Sequence, residues 1–206
     1  MRLQWPVAPE GLTAAGEAVR LRPLQRADWT AYRDLRADNL EHLRPGSVDD
    51  PDAPGLGTLP MVRPAFLRTV RSAARAARQG QSLRWAVEHR GRLAGEMVLD
   101  AMRWGGHRSC SAGYWVDHRV SGRGVGRTAL WLALEHALTR TPLHRVEVAV
   151  SVDNPAGLAL AAALGLREEG VRRAAVFVDG RWRDHLVHAV TAPEWPLPAP
   201  GRGGGG

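Results

Sequence analysis

The chain reads as one α+β domain. Stretches that alternate apolar and polar residues mark strands, stretches with helical spacing mark helices, and they succeed one another as strand, two helices, three strands, helix, strand, helix and hairpin. A length of 206 residues suits a single core, since domains commonly run to roughly 100–200 residues. The expected layout is an N-terminal arm over 1–17, the domain over 18–192 and a disordered tail over 193–206.

Pro6, Pro9, Gly11 and Gly16 interrupt any regular period in the arm. AVRLRPL (18–24) alternates as a short half-buried strand. In the following RADWTAYRDLRADNLEHL, Asp28 is the expected N-cap, and Trp29, Tyr32, Leu35, Leu40 and Leu43 fall near helical spacing. The proline- and glycine-dense segment 44–60 is a long loop, of the kind that often lines a substrate site. A helix over about 62–79 turns Phe66, Leu67 and Val70 inward and closes at Gly80. SLRWAVEH and RLAGEMVLDAMRW are strands joined at Arg90-Gly91, and CSAGYWVD (110–117) is another. A helix over 123–139 and the strand HRVEVAVSV follow, with valines filling one face. The next helix has Asn154 at its N-cap, Pro155 at its first position and Gly165 beyond its end. Asp179-Gly180 then marks a two-residue hairpin turn.

The net charge of +7 would ordinarily suggest nucleic acid as a partner. All 28 basic residues are arginine, however, which reads as compositional bias rather than a phosphate-binding face. No apolar run approaches the roughly 18 residues of a membrane span, and no signal peptide is evident, so a soluble cytoplasmic protein is expected. One cysteine, Cys110, excludes an intramolecular disulfide, and no metal site is expected.

The chemistry concentrates at SGRGVG (121–126). Gly122, Gly124 and Gly126 free the backbone so that its amides can converge on an anion at the positive end of a helix. A bare tight turn would need the same glycines. A dinucleotide fingerprint would read G-x-G-x-x-G near a first strand, and a P-loop needs Gly-Lys-Ser/Thr, so neither fits.

GYWVDHRVSGRGVGRTAL together with VAVSVDNPAGLALAAALGLREEGVRR resembles the GCN5-related N-acetyltransferase (GNAT) superfamily, and within it the RimJ/RimL-type N-terminal acetyltransferases, over about 18–190. The resemblance implies a mixed, mostly antiparallel sheet flanked by helices, with a splayed strand pair that binds acetyl-coenzyme A. It implies that the strand around Trp115 and Val116 pairs with pantetheine, with an N–H near Val116 facing the thioester carbonyl as the oxyanion contact. Ser121, Gly122, Arg123, Gly124, Val125, Gly126 and Arg127 would hold the pyrophosphate, and Asn154 would touch the cofactor. The implied reaction is direct attack of a neutral amine on the thioester. The branch often forms dimers, so a homodimer is allowed.

An α-amine, with a pKa of about 7.7–8.0, needs a weaker base than a lysine at about 10.4. The acceptor expected first is therefore a protein or peptide N-terminus. A small amine, or a coenzyme A-binding module without catalysis, are the alternatives. Glu147, on a strand face with Arg145 and Ala149, is either a catalytic carboxylate or half of an ion pair, and Glu96 is the second carboxylate candidate. His118, His185 and His188 read as surface or strand-end residues, and nothing near Cys110 marks a nucleophile. Three positions depart from the family pattern: Ala161 where many members have a tyrosine acid, Gly157 where the branch often has serine, and Pro45-Gly46 where Pro-Trp is common.

Overall fold

Backbone pairing joins eight strands into one sheet in the computed structural model, which describes residues 3–46, 48–52, 61–197 and 199. The strands are β1 (Glu10–Leu12), β2 (Ala18–Pro23), β3 (Leu83–His89), β4 (Arg92–Arg103), β5 (Ser109–Val116), β6 (Arg145–Ser151), β7 (Arg167–Val178) and β8 (Arg181–Thr191). Their order is β1-β2-β3-β4-β5-β6-β8-β7, antiparallel throughout except for β5 beside β6. That parallel pair needs a crossover, supplied by α4 (Val125–Arg140). Arg90-Gly91 and Asp179-Gly180 carry positive φ at both residues, which matches the strand twist and closes the two hairpins.

Side-chain alternation divides the sheet into two packed faces. Trp85, Val87, Met97, Leu99, Val146, Val148 and Val150 pack with α4 and with Ala161 and Leu164, which belong to or follow α5 (Pro155–Ala163). On the opposite face Ala86 and Trp115 meet Tyr32 of α1 (Trp29–Asp38) and Phe66 of α3 (Arg63–Arg78). α3 ends as the glycine at position 80 predicts, with Gly80 at φ +66 and the Gly80 and Gln81 amides donating to Ala77 and Ala76.

Several expectations change. The arm contains a strand: β1 pairs with β2 at the sheet edge, while Trp5 and Val7 pack on the core. Apolar burial outweighs the broken local period there. Asp28 stands at the N-cap of α1 as expected but gives no capping hydrogen bond, because its carboxylate receives Arg22 and the Gln25 amide instead. The helical stretch also breaks at Asn39, whose side chain donates to the Leu35 carbonyl, before a short α2 (Leu40–Leu43). The described part of the tail is packed: Trp195 lies tilted against Trp131 at 5.5 Å, and the Trp131 indole donates to the Leu197 carbonyl. The rest of the tail, and residues 47 and 53–60 of the long loop, lie outside the described residues. Val48 and Asp49 of that loop pair with Val178 and Phe177 near the β7–β8 turn.

Candidate active site

Two neighbouring strands part in the middle of the sheet. β5 pairs with β6 only over Ser109–Ser111 against Arg145–Glu147. Beyond that point β5 stays with β4 as far as Val116, and β6 stays with β8 as far as Ser151. The Asp117 amide donates to the Ala94 carbonyl at 2.8 Å. Successive residues of a strand turn their amides to opposite sides, so Trp115 and Gly113 also face β4. Ala112, Tyr114 and Val116 therefore aim theirs into the gap. Gly95 holds the β4 side close, since a Cβ there would stand 2.1 Å from the Trp115 carbonyl oxygen.

The glycine turn lies at the mouth of this gap. Gly122 and Gly124 adopt φ of +77 and +79, and the Ser121 and Arg123 amides fold back to the His118 and Val120 carbonyls. Gly124 occupies the N-cap of α4 and supplies no capping side chain, so the amides of Val125, Gly126 and Arg127 lack intrahelical acceptors. The Arg127 Nε is buried and has no hydrogen-bond partner among the described residues. An uncapped helix start with an orphaned guanidinium nitrogen fits a pyrophosphate. Gly126 keeps this turn against the strand, because a Cβ there would lie 3.3 Å from Leu160 Cδ1 and 3.5 Å from Tyr114 Cε2.

The two candidate carboxylates differ in setting. Glu96 lies opposite Trp115 on β4, buried beneath α1, where it accepts from the Tyr32 hydroxyl at 3.1 Å and from Arg84. Burial and the Glu96 carboxylate push the Tyr32 hydroxyl well above its usual range, so it stays a donor. Glu147 lies opposite Ser111 at the closed end of the gap, with Arg145 at 3.1 Å and Arg172 at 2.6 Å. Burial alone would raise its pKa, but the hydrogen bonds from Arg172 and Arg145 outweigh burial and hold it below the ordinary carboxylate value. Arg145 extends this lattice to Glu169, and Arg167 joins Glu169 at 2.8 Å.

Residues 18–167 match the acetyltransferase (GNAT) domain family. The chain belongs to the GNAT acetyltransferases. RimJ of Mycobacterium smegmatis, in complex with CoA-disulfide, superposes with a TM-score of 0.85 at 31% identity, covering 95% of this chain and 92% of that one. The [ribosomal protein uS5]-alanine N-acetyltransferase of Escherichia coli is 32% identical over 98 residues, 48% of this chain and 49% of that protein. The aligned stretch thus spans about half the length of that relative. The ribosomal-protein-S5-alanine acetyltransferase of Vibrio fischeri shares the fold, with a TM-score of 0.78 at 17% identity over 93% of this chain and all (100%) of that one.

Within this GNAT domain two of the three departures from the family pattern, Gly157 and Ala161, fall at packed positions. Asn154 Oδ1 accepts from the Gly157 amide at 3.0 Å, capping α5. A Cβ at position 157 would come within 2.7 Å of Val150 Cγ1 and 2.9 Å of Asn154 Nδ2, so a serine needs a shift of the cap. Ala161 is fully buried in the core. Cys110 is buried, and burial pushes its thiol up to about 12, which leaves it protonated and inert.

Three side chains near the GNAT site carried no sequence signal: Tyr32 and Arg84 around Glu96, and Asn39. Asn39 is buried and fully satisfied. It donates to Leu35 O and Asp117 Oδ1 and accepts from the His118 amide and ring Nδ1, at 2.7–3.1 Å. It therefore ties the α1–α2 break to the segment leading into the glycine turn. Trp115 turns its amide to β4 and its ring toward Tyr32, under the Arg36 guanidinium at 5.3 Å. Among the described residues no cluster of three or more His, Cys, Asp or Glu could hold a metal, and no helix is long and apolar enough to cross a membrane.

Proposed function

We propose that the chain is an acetyl-CoA-dependent N-acetyltransferase whose acceptor is the α-amine of a protein or peptide N-terminus. The observation that carries this reading is the gap between β5 and β6, edged by the unpaired amides of Tyr114 and Val116 and closed at its mouth by the uncapped start of α4. Acetyl-coenzyme A, when bound, supplies an activated acetyl thioester. Tyr114 and Val116, rather than Trp115, pair with its peptide-like arm, as an exposed strand edge pairs with an added strand. The N–H of Val116 is the donor for the developing oxyanion. The amides of Gly124, Val125 and Gly126, with Gly122 and the Ser121 turn shaping the approach, bind the pyrophosphate, and Arg123 and Arg127 add charge-assisted contacts. Asn154 holds the start of α5 beside this arm.

Glu96, one strand from Val116, takes the amine proton through a relayed water, and Tyr32 and Arg84 fix its orientation. Glu147 is a structural member of the arginine lattice in this reading. The relative named a ribosomal protein uS5-alanine N-acetyltransferase supports a protein acceptor, and a cytoplasmic location goes with that reading.

Calorimetric titration of acetyl-CoA into the protein, followed by a free-thiol assay on peptides with free N-termini and on small amines, tests the proposal. Binding with thiol release on the peptides is expected. Release only on small amines would overturn the acceptor, binding without any release would leave a coenzyme A-binding module, and no binding would reduce SGRGVG to a turn.

A further inference from the structure

A groove of about 640 Å³ opens at the end of the sheet, between the β3–β4 turn and the β5–α4 link. Arg90, Arg92, Arg119 and Arg123 line it, with Asp117 as the only carboxylate among its lining residues. Asp117 is already committed, accepting from Arg119 at 2.8 Å and from Asn39 at 3.1 Å. Arg119 also reaches Asp38, and Arg90 stands 3.6 Å from Glu17. Arg92 and Arg123, by contrast, make no ion pair or side-chain hydrogen bond among the described residues. Guanidinium groups left without partners in a groove whose one acid is neutralised make a site for an anion, and their planar forks suit phosphate oxygens.

Arg123 decides which anion. It belongs to the glycine turn, so the groove continues directly from the place assigned to the pyrophosphate. In coenzyme A the pyrophosphate leads to a ribose that carries a 3′-phosphate monoester, largely dianionic near neutral pH because its second pKa is about 6. We propose that this groove takes the 3′-phosphate of coenzyme A, with Arg92 as its principal contact and Arg123 shared between it and the pyrophosphate. The inference rests on the acetyl-CoA reading above and adds a recognition element from the β3–β4 turn, outside the glycine turn and the parted strands.

Calorimetric titrations of coenzyme A and of 3′-dephospho-coenzyme A into the wild-type protein and into Arg92→Ala test it. The wild type is expected to bind coenzyme A about tenfold more tightly, the size of one charge-assisted contact. Rising salt should shrink that preference. Arg92→Ala should remove most of that preference while leaving 3′-dephospho-coenzyme A unchanged. Arg92 is the exposed first residue of β4, beside the hairpin turn, so the variant is expected to fold. Equal affinities in the wild type, or a variant that weakens both ligands alike, would overturn the groove assignment and leave the acetyl-CoA reading standing. Binding of neither ligand would overturn both.

Discussion

Gly124 starts α4 at φ +79, a backbone state that costs an L-residue roughly 1–2 kcal/mol. A Cβ there would meet Thr13 only at ordinary contact distance, 3.6 Å, so the penalty is conformational rather than steric. Gly124→Val should therefore keep the circular dichroism of the fold while weakening acetyl-CoA at least about tenfold in calorimetry, because the following amides lose their convergence. Unchanged affinity would remove the pyrophosphate from this turn. Asn39→Ala should cost about 2 kcal/mol in urea unfolding, since it strands buried donors and acceptors on both of the segments it joins. The turn was legible because its residues are adjacent in the chain. The Asn39 bridge was not, because its partners Asp117 and His118 lie 78 and 79 positions away.

Among the elements, β6 and β7 are cross-linked across the intervening β8 by the lattice of Arg145, Arg167 and Arg172 with Glu147 and Glu169. Glu147 is held below its ordinary 4.5 and Glu169 is pulled down to about 2. A carboxylate whose folded pKa is depressed stabilises fully above its unfolded value and loses that contribution as pH falls through the folded one. Urea midpoints should thus stay level near neutrality and fall as pH drops from 4.5 toward 2. Glu147→Gln should flatten part of that fall while leaving acetyl-CoA affinity unchanged; an acid limb identical to wild type would argue against the lattice. The Glu147–Arg145 pair was visible as an alternative from their spacing on one strand face. Arg172 was not, because only the register of β7 on β8 brings it across the sheet.

For the whole molecule, the two ends of the described chain strap the α4 face of the sheet. Trp5 lies 5.7 Å from Trp85, whose indole donates to the Val7 carbonyl, and Trp195 covers Trp131. Trp195→Ala should lower the unfolding free energy by about 2 kcal/mol, less than full burial of a tryptophan would cost because the ring is only partly buried. No change in the urea midpoint would return the segment to a loose tail. By itself the sequence determined the order of the main elements from β2 onward, the hairpin turns, the glycine start of α4 and the cap of α5, because each is written in residues near one another and governed by local backbone preference. Tertiary structure alone decided that β5 and β6 part after Ser111 and Glu147, that Glu96 rather than Glu147 lies beside the Val116 strand edge, and that the arginines of two separate turns line one groove. These depend on strand register and on which distant segments share a face, and no local pattern encodes either.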